Sequence, residues 1–301
     1  MVTKPLATQQ QRNKTMTNVI ACIDGSNVTS AVCDASGWAA FQLNAPVILL
    51  HVLDKSAYPI ESDLSGNIGL GTREHLLNEM VELEARRGKL ALEQGKYMLQ
   101  DAQTRIVEAQ PAVVVKTLQR HGDLVETLLE QESHARLVVM GRQGEQHQDQ
   151  AQAIGSHLEN VIRTVKQPIL VVMTEFEAPK RFMIAYDGSI TAKKALNQVL
   201  TSPLLKGLEC HLVMVSDAQS QATAELALVT ESLMAANFNV VTAVCQGEVQ
   251  TALEIYQLEH HIDLMVMGAY GHSRIREFFV GSNTTKMISK SHIPLLLLLL
   301  R

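Results

Sequence analysis

Short apolar runs alternate with longer amphipathic stretches along almost the whole chain. The runs are four to eight residues long and several are apolar at every position, which is typical of strands buried on both faces of a parallel sheet. Between them, apolar residues recur at helical spacing in the stretches 73–107, 123–131, 222–235 and 249–260. This alternation predicts β-α-β units built on a parallel sheet.

The alternating pattern occurs twice in the same order. An apolar run ending in Asp24-Gly25-Ser26 matches another ending in Asp187-Gly188-Ser189. Three further pairs of segments match, namely 46–54 with 208–217, 135–141 with 262–268, and 167–172 with 292–297. Four ordered matches indicate a tandem repeat. We therefore expect two doubly wound α/β domains, each a five-stranded parallel sheet with helices on both faces.

The repeat also places the domain boundaries. A polar extension covers 1–17, the first domain covers 18–174 and the second covers 175–301, with a linker near 174–180. The first copy carries an insertion at 55–105, between its second and third strands, that begins with a connector containing Gly66, Gly69 and Gly71 and continues as a charged helix. The insertion is either a lid over a site or surface elaboration.

Composition and charge argue against several classes of function, including nucleic-acid binding, membrane insertion and metal binding. The 301 residues are 46% hydrophobic and 19% charged, with a net charge of −5, so no global positive field favours nucleic acid or an anionic membrane. The longest apolar run is far below the ~20 residues that span a bilayer. Four scattered cysteines favour a reducing, cytoplasmic location. No zinc-type ligand spacing occurs, and His51 and His211 are out of register between the copies, so no metal site is predicted.

A glycine-rich segment follows the fourth strand of the second copy. Gly268, Gly271, Gly281 and Ser282 are spaced as Gly-x2-Gly-x9-Gly-Ser. Glycines at a strand end allow a sharp turn and let an anion approach the backbone N–H groups. We expect Gly281-Ser282 to open the next helix, whose amino end favours negative charge. The spacing predicts a phosphate-binding loop.

Asp187 follows the first strand of the same copy and is expected at the same sheet edge. In doubly wound sheets the ligand crevice lies at that edge, where the strand order reverses. Asp187 can accept a hydrogen bond from a ribose hydroxyl or an adenine amine. Equally, Asp187-Gly188-Ser189 can be only a turn in which the serine caps a helix. Arg274 and Arg276 can contact phosphates or be solvated loop charges.

The first copy keeps the same positions in a modified form. Its spacer between the second and third glycines is ten residues rather than nine, is rich in Gln, and carries Glu145 and Asp149. Negative charges facing the loop would oppose a triphosphate. A weaker first-domain site is therefore expected at Asp24, Gly141, Gly144, Gly155 and Ser156.

The glycine motif after a fourth strand, paired with an aspartate after the first, resembles the ATP-binding universal stress protein family. The resemblance covers nearly the whole chain, twice, and implies a Rossmann-like fold of the adenine nucleotide α-hydrolase-like type. In that family the glycines and the following hydroxyl residue hold the triphosphate, and the aspartate faces the nucleoside. Tyr270 stands where many members have His. Carried over by position, the cofactor-binding residues are Asp187, Gly268, Gly271, Gly281, Ser282 and Asn283.

The resemblance implies an ATP-binding protein of stress response or regulation, with ATP, accompanied by Mg2+, as its cofactor. No Walker lysine and no Gly-x-Ser-x-Gly motif occur, so no catalytic residue is predicted and hydrolysis is weak at most. Two alternatives stay open: a nucleotide-free interaction scaffold, and a weak ATPase of the α-hydrolase-like group. The scaffold is favoured if the segment 58–71 fills the first crevice.

The last strand of each copy is apolar on both faces. Such a strand at an exposed sheet edge would promote aggregation. In the family this strand commonly pairs subunits or tandem domains. We therefore expect 169–173 and 293–300 to pack the two halves together as an intramolecular pseudo-dimer, and a homodimer also remains open.

Overall fold

A computed structural model describes residues 18–53, 70–143, 156–270 and 287–300. The first half contains five strands, β1 (Asn18–Cys22), β2 (Val47–Leu53), β3 (Val115–His121), β4 (Ala135–Gly141) and β5 (Ile169–Val172). Its helices are α1 (Thr29–Leu43), α2 (Leu70–Ala109), α3 (Leu124–Gln131) and α4 (Ser156–Thr164), and a 3-10 turn follows α3 at Glu132–His134.

The second half repeats this order with a shorter second helix. Its strands are β6 (Arg181–Ala185), β7 (Glu209–Val215), β8 (Asn239–Cys245), β9 (Leu264–Tyr270) and β10 (Leu295–Leu300). Its helices are α5 (Ile190–Thr201), α6 (Gln219–Ala235) and α7 (Val249–Glu259), and a helical turn covers 287–290. The predicted repeat of five strands and intervening helices is confirmed.

All ten strands belong to one sheet, in the order β3-β2-β1-β4-β5-β10-β9-β6-β7-β8. Within each half the pairs are parallel, as expected for doubly wound units. The two five-stranded sheets expected from the sequence are joined, because β5 pairs antiparallel with β10, with Leu170 opposite Leu296. Pairing covers two apolar edges that water would otherwise meet.

Helices cover both faces of the sheet and enclose one apolar core on each. Val19, Leu170 and Leu298 belong to the core under α1, α2, α5 and α6. Ile20, Val171 and Leu297 belong to the core on the opposite face, under α3, α4 and α7. Because neighbouring residues of a strand alternate between the faces, continuous apolar runs supply both cores. Each core continues from one half into the other.

Two local boundaries differ from the sequence prediction. Gly71 lies inside α2, which begins at Leu70, so it is part of the helix rather than of the connector. Gly268 lies inside β9, which continues to Tyr270, rather than ending the strand. Pairing with β10 continues to Leu300 and holds this longer strand.

Candidate functional site

The carboxyl ends of β6 and β9 form a topological switch point. The chain leaves β6 toward β7 and β8 and returns on the other side as β9, which pairs with β6 through Ile184 and Val266. Asp187 follows β6 and Gly268 lies near the end of β9, so the fold brings these two predicted residues to one sheet edge. This is the position at which doubly wound sheets bind ligands.

Asp187 forms a tight turn with the two residues that follow it. Its Oδ1 accepts a hydrogen bond from the backbone N–H of Ser189 at 3.0 Å, and Gly188 has a φ of +72°. Ser189 Oγ accepts from the N–H of Ala192 at 3.1 Å and so caps α5. Asp187-Gly188-Ser189 therefore does form a turn in which the serine caps a helix. The Asp187 side chain is nevertheless exposed, and its Oδ2 has no hydrogen bond to any described residue.

Gly268 allows α5 to pack closely on β9. A Cβ at this position would lie 3.0 Å from Thr191 Cγ2 and 3.4 Å from the Thr191 carbonyl oxygen. The first half repeats the contact, because a Cβ on Gly141 would lie 3.1 Å from Val28 Cγ1. Thr191 and Val28 each lie four residues after the matched aspartate. These two glycines thus permit close helix–strand packing beside the edge.

A second carboxylate lies over the turn of the second half. Glu225 of α6 approaches Gly188 so closely that a Cβ on the glycine would lie 2.5 Å from Glu225 Oε1. Lys193 Nζ lies 3.8 Å from the same oxygen. Burial, with the negative charges of Glu225 and Asp187, raises the pKa of Tyr186. The turn therefore lies in a negative environment that Lys193 only partly offsets.

The corresponding turn of the first half is built alike but is covered differently. Asp24 Oδ1 accepts from the N–H of Ser26 at 3.0 Å, and Gly25 has a φ of +79°. Met98 of α2 covers the glycine, with its Sδ 2.9 Å from the place a Cβ would take. No side chain caps α1. An apolar thioether thus lies where the second half has a carboxylate.

The remaining predicted residues lie at the margins of the description or beyond them. Gly141 ends β4, and Ser156 is the first residue of α4. Gly271, Gly281, Ser282, Asn283, Gly144 and Gly155 lie outside the described residues, as do Arg274 and Arg276. The segment 58–71, expected to fill the first crevice in the scaffold alternative, is described only from Leu70 onward.

Sequence reasoning missed Glu225, Lys193 and Met98. Lys193 carried a usable signal, because it lies four residues after the capping Ser189 and so one helical turn away. No sequence signal indicated Glu225 or Met98, because each belongs to a helix that is distant along the chain from the turn it covers.

Two buried histidines do not form a shared site. His51 Nδ1 lies 2.8 Å from the Ile23 carbonyl oxygen. His211 pairs with Met183, whereas His51 lies three residues beyond the position that pairs with the matched Ile20. Across the part of the chain that is described, no three His, Cys, Asp or Glu side chains come together as metal ligands. Nor does any helix within that part have the length and apolarity to cross a bilayer.

Comparison with known proteins identifies the family. The model of the universal stress protein family matches residues 16–173 and again 179–298. The universal stress protein Slr1230 of Synechocystis is 33% identical over 285 residues, covering 93% of this chain and 99% of its own. The chain belongs to the universal stress protein family, in which it is a tandem member, and this membership supports a role in the stress response.

Solved structures share the complete fold. A universal stress protein from Archaeoglobus fulgidus matches with a TM-score of 0.68 at 19% identity, covering 93% of this chain and 97% of its own. A functionally unknown protein from Pseudomonas aeruginosa matches with a TM-score of 0.58 at 11% identity, covering 97% of this chain and 95% of its own. At these identities the likeness concerns the fold.

Proposed function

We propose that this protein binds ATP in its second half and acts in the stress response through nucleotide-dependent conformation. The observation that carries the proposal is the place of Asp187. It lies at the edge where β9 leads directly into the sequence Gly271 to Ser282, which has the spacing of a phosphate-binding loop. Nucleoside recognition and phosphate recognition therefore come from neighbouring strands.

Charge favours one orientation of the nucleotide. Asp187 and Glu225 make the turn after β6 unsuitable for a triphosphate, but their carboxylates can accept from ribose hydroxyls or an adenine amine. Backbone N–H groups at 271–282 suit the phosphates, and Mg2+ accompanies them. We infer that the nucleoside lies toward Asp187 and the phosphates lie toward Ser282 and Asn283.

The first half is a poorer candidate for ATP. Met98 covers Gly25 and offers no hydrogen-bond acceptor of carboxylate strength at the nucleoside position. The ten-residue spacer after Gly144 adds two acidic residues. We propose one working site, in the second half, beside a modified first half in a cytoplasmic protein. Because holding a triphosphate does not require splitting it, no hydrolysis step is assigned.

Nucleotide binding can be tested on the purified full chain. We expect ATP to raise the melting temperature and to be released from the denatured protein, where mass analysis identifies it. Gly271→Val should abolish the shift, because a branched side chain would block the anion. Gly144→Val, the matched change in the first half, should leave it unchanged. No ATP-induced shift in the unmodified protein would favour the scaffold alternative.

We also propose that the halves act as an intramolecular pseudo-dimer. The antiparallel pairing of β5 with β10, which aligns Leu170 with Leu296, supports this arrangement. Truncation before Ile293 removes β10 and uncovers both β5 and β9. The truncated chain should aggregate or associate. A truncated chain that stays soluble and monomeric would contradict the proposal.

A further inference from the structure

Glu225 places a carboxylate against the turn that follows β6. The absence of a side chain at Gly188 allows this approach, because a Cβ there would lie 2.5 Å from Glu225 Oε1 and 2.9 Å from Glu225 Oε2. Lys193 Nζ lies 3.8 Å from the same Oε1, and the Glu225 side chain is 34% exposed. The carboxylate is therefore held beside the turn and remains partly open to solvent.

Asp187 supplies a second carboxylate at the same turn. Its Oδ1 accepts from the Ser189 N–H, which leaves Oδ2 without a hydrogen bond to any described residue. Burial, together with the charges of Glu225 and Asp187, raises the pKa of Tyr186, which directly precedes Asp187. Two hydrogen-bond acceptors therefore lie at one end of the candidate crevice.

The matched turn of the first half has the same shape but lacks the second carboxylate. Gly25 has a φ of +79°, close to the +72° of Gly188, and Met98 Sδ lies 2.9 Å from the place that a Cβ on Gly25 would take. A thioether sulfur is a weak acceptor, whereas an ionised carboxylate accepts through two oxygens. The two halves therefore cover one kind of turn with opposite chemistry, so the turn itself does not require a carboxylate at the position of Glu225.

We propose that Glu225 is a specificity-determining residue which, with Asp187, selects nucleotides whose ribose carries both hydroxyl groups free. This inference rests on the proposed ATP site and concerns its nucleoside end. Each carboxylate accepts a hydrogen bond from one of the two adjacent ribose hydroxyls. An analogue that lacks either hydroxyl leaves one carboxylate without its donor, and a site built around a hydroxyl rejects such analogues. A phosphate on either hydroxyl would bring a further negative charge to the turn.

The chemistry of two neighbouring carboxylates suits the ribose better than the adenine base. Adjacent hydroxyls offer two donors, each of which can rotate toward its acceptor. The adenine amine is instead flanked by ring nitrogens that are themselves acceptors, and a carboxylate beside them is repelled. A divalent cation is also disfavoured, because the ammonium group of Lys193 lies 3.8 Å from Glu225 Oε1. The ribose hydroxyls are therefore the donors that match this pair.

Titration calorimetry of the full chain with ATP, 2′-deoxy-ATP and 3′-deoxy-ATP tests the assignment, since the three ligands share their base and triphosphate. We expect the unmodified protein to bind each deoxy analogue about tenfold more weakly than ATP. Glu225→Met introduces the side chain that covers the turn of the first half, and it should reduce the loss for one analogue to less than about twofold. Glu225→Gln keeps an acceptor oxygen and should retain part of the discrimination.

Glu231→Met is the matched control, because it removes an exposed carboxylate from the same helix and should leave the three affinities unchanged. If the unmodified protein binds ATP and both deoxy analogues equally well, the ribose assignment is overturned while the proposed ATP site stands. If it binds none of the three, the proposed function and this inference both fail. A Glu225→Met variant that changes the ratio of ATP to GTP affinity, but keeps the discrimination against both deoxy analogues, would place Glu225 at the base and contradict the proposal.

Discussion

The guanidinium of Arg142 donates from Nη1 to the carbonyl oxygen of Ser291, at 2.8 Å, and so links the two halves of the chain. Arg142 directly follows Gly141 at the end of β4, and it also lies 3.3 Å from the Ser289 carbonyl oxygen. Burial lowers its pKa. The helical turn 287–290 therefore ends against a cation of the other half, which favours its carboxyl end.

Replacing Arg142 with Met should lower the free energy of unfolding by about 1–3 kcal/mol, because two partly buried carbonyl groups lose a charged donor. Urea titration of the full chain measures the change. Arg120→Met, at an exposed position of β3, should change the free energy of unfolding by less than about 0.5 kcal/mol. Equal effects of the two substitutions would show that the link contributes nothing.

Gly268→Ala should destabilise the second half by about 1–3 kcal/mol, since the new Cβ meets Thr191 Cγ2. Thr191→Ser removes that methyl group, so the double variant should recover part of the loss in a double-mutant cycle. Gly88→Ala, in open space within α2, should not destabilise. Strictly additive effects at 268 and 191 would disprove the contact.

Asp187→Asn should weaken ATP binding by at least tenfold, about 1.4 kcal/mol, while leaving the fold intact. The asparagine oxygen can still accept from the Ser189 N–H, so the substitution removes the charge and keeps the turn. Asp24→Asn, the matched change in the first half, should leave the affinity unaltered. Isothermal titration measures both, and an equal loss in the two variants would place the nucleotide elsewhere.

Tyr256→Phe should lower the free energy of unfolding by about 1–3 kcal/mol at neutral pH, because His211 Nδ1 would lose its buried hydrogen-bond partner, the Tyr256 hydroxyl at 2.9 Å. Burial, with the charges of Cys245 and Glu209, raises the pKa of Tyr256 to about 12. The stabilisation that the neutral phenol provides is therefore complete below about pH 10 and disappears as the pH rises toward 12. The difference in free energy of unfolding between the unmodified protein and Tyr256→Phe should therefore shrink between about pH 10 and pH 12, as measured by urea titration at each pH. A difference that stays constant over this range would show that the neutral phenol is not the stabilising group.

All four cysteines are free thiols, and burial raises the pKa of each. Since only the thiolate reacts, Cys33 and Cys210 should react slowly with a thiol reagent in the native protein and rapidly after unfolding. A thiol titration at pH 8 in the presence and absence of denaturant measures this. Fast native labelling of Cys33 would contradict the burial of its thiol.

The repeat in the sequence was sufficient for the strand and helix order, because local signals recur at matched positions. Asp24-Gly25-Ser26 and Asp187-Gly188-Ser189 show their turn chemistry directly in the residue types. The side chain that covers each turn was not predictable from the sequence. Met98 and Glu225 belong to helices distant along the chain, and no local sequence pattern indicates that these helices pack over the turns. The joining of the two sheets also depends on contacts between distant segments, although the apolar runs at 169–173 and 293–300 did indicate edges in need of cover.

The antiparallel junction of β5 and β10 has a geometric consequence for the two candidate ligand edges. Because the strands of the first half run opposite to those of the second, the carboxyl ends that carry Asp24 and Asp187 open on opposite sides of the common sheet. A molecule bound at one of these edges is therefore sterically independent of whatever occupies the other. Sequence change near Asp24 can accumulate without obstructing access to Asp187, so one half is free to acquire a different surface while the other keeps its candidate site.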